Sequence, residues 1–231
     1  MKIQKLFLID REIRKFNIVI IQKQDCNINH LQSFNAAYNF FYLVKNLLFQ
    51  SRICIYVNKH LKLNQWVAEI IESNICLIII LICNTDDETQ MLQLLNIYNL
   101  CSLFYTFTEE FSIIPRMNEL LNDDCEQLIV EDFNLHHSHW EKRKCYTQHT
   151  AINILLNIII NAKLKLLLKS DTVTCKTYNQ FTTINLVFSS KKVQFMICKC
   201  KIHINLHQKS DYVLIITEIC LQTISVQLTI H

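Results

Sequence analysis

The chain alternates between short apolar runs and polar segments, and most of the apolar runs are rich in β-branched or aromatic residues. Short runs of this composition are typical of β-strands. The strongest run, 75–83, is far too short for a membrane-spanning helix and predicts a buried strand. The predicted strands are 17–22, 38–44, 52–58, 65–71, 75–83, 90–99, 127–130, 171–175, 181–188, 192–200 and 212–220.

Two segments instead carry apolar residues at helical spacing. The first predicted helix covers residues 111–121, and the second covers about 147–161, with Thr147 as a candidate N-cap and an apolar face directed inward. Many strands with two interposed helices predict an α/β fold in which two packed, mainly antiparallel β-sheets are flanked by helices. At 231 residues, the whole chain, 1–231, is expected to form a single domain.

The composition is unusual because the chain contains no glycine and a single proline, Pro115. Turns that need a positive φ angle must therefore use Asn, Asp or a strained residue. A net charge of +3 neither requires nor excludes a nucleic-acid partner. The sequence also leaves the oligomeric state open.

Eleven cysteines occur without paired CxxC spacing, and the amino terminus lacks the apolar stretch of a secretory signal. We therefore expect reduced thiols and an intracellular protein, nuclear or cytoplasmic, that is neither secreted nor membrane-bound.

The richest candidate chemistry lies in residues 129–140. Strand alternation places Asp132 and Asn134 on the same side of an extended backbone, where a strand gives way to a loop. Trp140 is predicted to anchor the following loop rather than to stack on a base. Zinc is a weaker alternative, because the spacing of the nearby imidazoles and thiol fits no zinc module known to us; these are His136, His137, His139, Cys145 and His149.

Several ordered motifs, spanning about residues 17–221, resemble the endonuclease/exonuclease/phosphatase superfamily with its DNase I-like fold. The similarity is greatest to the endonuclease domain that precedes reverse transcriptase in non-LTR retrotransposons, particularly fungal ones. The segments that carry the resemblance are Ile20-Ile-Gln-Lys23, Arg52 to Lys59, Asn96-Ile-Tyr-Asn99, Glu131-Asp-Phe-Asn134 with His136 to Trp140 and Thr147-Gln-His149, Thr182 to Phe188, and Ser210-Asp-Tyr212.

This resemblance implies Mg²⁺-dependent hydrolysis of DNA and assigns roles to four positions. Asp132 and Asn134 inherit the residues that orient water and hold phosphate. Tyr98 inherits a phosphate-contacting tyrosine, and Asp211 inherits a carboxylate near the metal.

Three further positions with a catalytic role in the family are changed, and a fourth change stands beside Asp132. Lys23 stands where a glutamate would bind the metal, and a cation repels Mg²⁺. Tyr212 replaces the histidine that transfers a proton, and Asn185 replaces the aspartate that orients this histidine. Glu131 replaces a glycine and is expected to place bulk and negative charge beside Asp132, where phosphate would approach.

These losses predict a catalytically inactive copy that has lost its metal, with two alternatives left open: a residual nucleic-acid-binding domain, or a weakly active nuclease. Each replacement, including that of glycine by Glu131, requires only one G-to-A or C-to-T change in a codon. We therefore interpret the chain as a decayed retroelement copy. Sequencing sibling copies in the same genome tests this interpretation, and parent copies that lack the glutamate, aspartate and histidine would contradict it.

Overall fold

A computed structural model describes residues 11, 13–22, 40–44, 53–72, 75–83, 89–98, 113–121, 125–133, 135–142, 150–177, 180–203 and 213–220. Short 3₁₀ turns lie at Ile13–Lys15 and Leu63–Gln65. The helices are α1 (Ile113–Leu120), α2 (Thr150–Asn161) and α3 (Lys191–Met196). The strands are β1 (Ile18–Ile21), β2 (Phe41–Val44), β3 (Cys54–Asn58), β4 (Trp66–Glu72), β5 (Ile75–Cys83), β6 (Thr89–Tyr98), β7 (Glu126–Asp132), β8 (Lys165–Leu166), β9 (Cys175–Thr177), β10 (Gln180–Thr182), β11 (Asn185–Ser189), β12 (Ile197–His203) and β13 (Leu214–Ile219).

A six-stranded sheet in the order β4-β5-β6-β7-β11-β8 forms the centre of the fold. Its pairings are antiparallel except for β6 and β7, which run parallel. Helices α1 and α2 cover one face, because Met117 and Leu155 pack with Ile97 and Ile129 of the sheet in one buried apolar cluster. The amphipathic spacing of these helices is explained by this single buried face.

The opposite face of the central sheet packs against β1-β3-β2 and against the two-stranded sheet β12-β13. Ile55 and Val57 of β3 point into this inter-sheet cluster. Cys54 and Tyr56 point the other way, into a third cluster with Phe41. Strand β3 is therefore buried on both faces, as a continuous apolar run predicts.

The predicted fold class is confirmed: several mainly antiparallel sheets pack together and are flanked by helices. Within the described residues the second layer is divided into two ladders rather than forming one sheet. The hairpin predicted around residues 84–88 is confirmed by the pairing of Cys83 with Thr89, although its tip lies outside the described residues. No helix in the described ranges is long and apolar enough to cross a bilayer.

Turns with a positive φ angle use Asp or a strained residue, as expected in a chain without glycine. The positive-φ residues of the described chain are Asp171, with φ of 66°, and Lys163, with φ of 52°. Lys163 lies two residues after the end of α2, at the position just past a helix C-terminus that glycine usually occupies, and the N–H of the next residue, Leu164, donates to Ile159 O. Lysine carries a steric cost in this region that glycine does not.

The predicted strands 171–175 and 181–188 are both partly wrong. Residues 171–174 form a turn and loop instead of a strand, and only Cys175–Thr177 is extended. The predicted strand 181–188 is divided into β10 and β11, because the intervening N–H groups of Thr183 and Ile184 donate to side chains instead of a ladder. Period-two patterns cannot reveal such side-chain acceptors.

The predicted strand 192–200 is also wrong in its first half, which forms α3 with Val193 buried on the inter-sheet side. The expectation of reduced thiols fails at one pair, because Cys198 and Cys220 are joined in a disulfide. Antiparallel pairing of β12 and β13 brings their Cα atoms to 6.2 Å, a normal separation for such a bond.

Candidate active site

Three residues singled out by the sequence form one row across adjacent strands of the central sheet. Tyr98 is the last residue of β6, Asp132 the last of β7 and Asn185 the first of β11. Parallel pairing sets Tyr98 beside Asp132, and antiparallel pairing sets Asn185 directly opposite Asp132. We call these three residues the polar row.

The polar row faces the inter-sheet side. Tyr98 belongs to the inter-sheet cluster, and so do Val130 and Val187, which are two residues from Asp132 and Asn185 on their strands. Since side chains two apart on a strand share a face, Asp132 and Asn185 point to the same side as Tyr98. Asp132 and Tyr98 are buried, while Asn185 is half-buried with no hydrogen-bond partner in the described structure for its Oδ1.

The end of β1 is tied to this edge by an amide side chain. Gln22 Nε2 lies 2.9 Å from Asn96 Oδ1 and 2.8 Å from Ile97 O, and it also reaches Val130 O at 3.2 Å. Asn96 is fully buried, and its Nδ2 has no hydrogen-bond partner among the described residues. In the sequence, Gln22 stands out only as part of a motif, and no local pattern predicts this link between the two layers.

Glu131 points away from the polar row, so the expectation that it obstructs phosphate beside Asp132 is wrong. Its neighbours on the same face, Ile129 and Phe133, lie in the cluster beneath the helices. Glu131 is fully buried, and neither carboxyl oxygen has a hydrogen-bond partner within the described ranges. Burial, and secondarily the charge of Asp132, raises the pKa of Glu131 well above its ordinary value.

The loop after β7 is held by a buried carboxylate that sequence analysis did not identify. Glu141 Oε2 lies 2.7 Å from His136 Nδ1, and Glu141 Oε1 accepts a 2.7 Å hydrogen bond from Thr183 N–H. Trp140 is buried and donates from Nε1 to Leu135 O, as expected of a loop anchor. This loop is therefore fixed to the segment that leads into Asn185.

The remaining imidazoles of the loop stack on one another instead of converging on a common point. The ring centroids of His137 and His139 are 5.2 Å apart, and His137 also contacts Trp140 at 5.3 Å. Partial burial, followed by the proximity of His139, lowers the pKa of His137. Cys145 and His149, the other candidate zinc ligands, lie outside the described residues.

Four residues of the predicted site also lie outside the described residues: Lys23, Asn134, Asp211 and Tyr212. One described neighbour, Val213, which directly follows Tyr212, is connected to the polar row. Val213 N–H donates to Thr174 O, and Thr174 Oγ1 accepts hydrogen bonds from Ile184 N–H and Asn185 N–H. The start of β13 is thus linked through Thr174 to the polar row.

Magnesium prefers oxygen ligands, with carboxylates foremost. The polar row offers one carboxylate, one amide and one phenol, and the nearby carboxyl group of Glu131 faces the helices instead. Across the described ranges, no three His, Cys, Asp or Glu side chains are grouped so that they could hold a metal ion. The polar row by itself therefore does not fit the donor set that Mg²⁺ prefers.

Packed sheets flanked by helices, with the polar row at the strand ends, define a DNase I-like domain. The sequence model of the family described as endonuclease-reverse transcriptase matches residues 92–216, more than half of the chain. The chain belongs to this family. A search of curated protein sequences gives no match.

Solved structures share the fold at low sequence identity. The endonuclease domain of TRAS1, a telomere-specific non-LTR retrotransposon, is 16% identical with a TM-score of 0.68, covering 96% of this chain and 95% of that one. The AP endonuclease LMAP from Leishmania major is 9% identical with a TM-score of 0.67, covering 88% and 78%. The Xenopus laevis APE2 catalytic domain is 11% identical with a TM-score of 0.66, covering 91% and 85%. These likenesses show the fold.

Proposed function

We propose that the chain, as a single domain over 1–231, is a retrotransposon-type endonuclease domain whose ancestral reaction was metal-dependent hydrolysis of DNA. We further propose that the present site does not catalyse this reaction. The observation that carries the proposal is the register of the polar row, in which an amide, Asn185, stands directly opposite Asp132. An intracellular setting stays a prediction.

The roles follow from the needs of phosphodiester hydrolysis. A water must be oriented, the phosphate must be held, and developing negative charge must be stabilised. Asp132 and Asn134 would orient water and hold phosphate, and Tyr98 would contact a phosphate oxygen at the same edge. Asp211, two residues before Val213 in the sequence, would contribute a carboxylate to the metal position.

The proposed loss of catalysis rests on three groups. Asn185 has no charge with which to stabilise an imidazolium, and Tyr212 offers a phenol with an ordinary pKa near 10 where the family uses histidine. Lys23 brings a positive charge where a metal-binding carboxylate is needed, so the proposed site is not expected to hold Mg²⁺. Losing an acid-base group alone typically costs about 10²–10⁴-fold in rate.

A plasmid assay tests this proposal on the unmodified chain. Incubation with supercoiled DNA and Mg²⁺ or Mn²⁺ is expected to give no more nicked product than the Asp132→Ala variant or an EDTA control gives. Because Asp132 is the single carboxylate of the polar row, any nicking that the Asp132→Ala variant still gives would come from contaminating nuclease. Metal-dependent nicking that disappears in Asp132→Ala would contradict the proposed inactivity and support the weakly active nuclease instead.

A further inference from the structure

The strands β12 and β13 form a hairpin that is joined to the rest of the domain by packing of one face and by a few hydrogen bonds, and not by strand pairing. They pair only with each other in the described structure, as a separate two-stranded sheet. Ile216 is the only buried residue of the two strands, and their other inward side chains are half-buried. A two-stranded hairpin is marginal in water on its own, so its closure depends on restraints beyond its own ladder, one of which is its packing on the central sheet.

A disulfide supplies one such restraint at the end of the hairpin that lies away from the polar row. Cys198 lies in β12 at the point where the ladder register shifts, between Ile197 and Lys199. Cys220 directly follows β13, and its N–H donates to Met196 O at 2.8 Å. Both cysteines are exposed, so small thiols in solution can reach the bond.

The opposite end of β13 is connected to the polar row. Val213 N–H donates to Thr174 O, and the hydroxyl of Thr174 accepts the N–H of Asn185. Opening of the hairpin at the disulfide would weaken the restraint on β13 and, through it, this connection.

We propose that Cys198 and Cys220 form a reversible disulfide that closes the β12-β13 hairpin, and that its reduction releases β13 from the domain. In the oxidation, the two thiols lose two protons and two electrons to glutathione disulfide, which becomes two molecules of glutathione. Dithiothreitol reverses the step and becomes a cyclic disulfide. The proposal is independent of whether the domain hydrolyses DNA.

The neighbouring thiol of Cys200 is expected to compete weakly for disulfide formation, and it provides a matched control. Cys200 is half-buried, with its Sγ 3.4 Å from Thr217 Oγ1, and burial raises its pKa. A thiol with less thiolate is a poorer nucleophile in disulfide exchange, so Cys200 competes weakly with the exposed pair. Cys200→Ser should therefore leave the redox response intact.

The pairing is tested first by mass spectrometry on the full chain. After oxidation with glutathione disulfide, blocking of free thiols and digestion, a peptide linked through Cys198 and Cys220 is expected in the unmodified chain and in Cys200→Ser. Recovery of both cysteines as blocked free thiols, or of Cys200 in the crosslink, would overturn the proposal.

Hydrogen exchange then tests the consequence for the hairpin. The bond spans 22 residues, and reduction is expected to speed amide exchange in 215–219 by roughly three hundredfold, the chain-entropy effect of a loop of this size. Cys198→Ser should exchange as fast as the reduced unmodified chain with or without dithiothreitol. Equal exchange before and after reduction of the unmodified chain, a comparison that needs no variant to fold, would overturn the proposed release.

Discussion

Replacement of Glu131 by methionine is expected to raise the free energy of unfolding at pH 7 by about 2–4 kcal/mol. Glu131 is fully buried under α1 and α2, and neither carboxyl oxygen has a hydrogen-bond partner in the described structure. Methionine fills a similar volume without polar oxygens. Urea unfolding of the two chains at the same pH measures the difference.

The pH dependence of the free energy of unfolding tests whether the buried carboxyl group of Glu131 is the cause of this gain in stability. The pKa of Glu131 is raised in the folded state, so above about pH 4.5 the unfolded chain releases a proton that the folded chain retains. The free energy of unfolding therefore falls as pH rises, by about 1.4 kcal/mol per pH unit, until the folded carboxyl ionises. Glu131→Met should lack this contribution.

A control on the same sheet shows whether the effect comes from burial. Glu69 lies on edge strand β4 and is exposed, so Glu69→Met should change stability by less than about 0.5 kcal/mol. Equal stabilities of Glu131→Met and the unmodified chain from pH 4 to pH 8 would contradict the burial of an unpaired carboxyl group.

Restoration of the three changed site positions is expected to create nuclease activity. The triple variant Lys23→Glu, Asn185→Asp and Tyr212→His should nick supercoiled plasmid in Mg²⁺ at least about a thousandfold faster than the unmodified chain. The restored groups would act as one unit, so each single reversion should recover only a small part of the gain in nicking rate that the triple variant shows. Initial rates of nicked-circle formation measure the gain.

The specificity of that gain is tested by adding Asp132→Ala to the triple variant. This quadruple variant keeps the restored groups and should return to background, because the row then lacks its central carboxylate. A triple variant that folds, as judged by circular dichroism, and still shows no activity would contradict the assignment of inactivity to these three positions.

The layered fold was predictable because the strands of the central sheet and the two helices that cover it obey local rules. The central strands are continuous apolar runs, and α1 and α2 show helical spacing because each buries one face. The polar row was predictable as a set of residues through family resemblance. Its register was not predictable, because the alignment of Tyr98, Asp132 and Asn185 depends on pairings between distant segments.

One group of failures lies where side chains replace backbone partners. Glu141 and Thr174 accept N–H groups from residues 183–185 and interrupt a strand that the apolar pattern predicted to be continuous. The direction of Glu131 was also missed. Strand alternation sends a residue next to Asp132 to the opposite face, where a carboxyl group has no reason to be expected.

Manganese binding, observed by NMR on the unmodified and triple-restored chains, tests the central claim most directly. Paramagnetic Mn²⁺ broadens the amide signals of residues near its site, so the readout locates the metal without depending on activity. We expect selective broadening at Tyr98, Asp132 and position 185 in the restored chain, and none in the unmodified chain at the same Mn²⁺ concentration. Equal selective broadening in both chains would show that the unmodified site still holds metal and would contradict the claim.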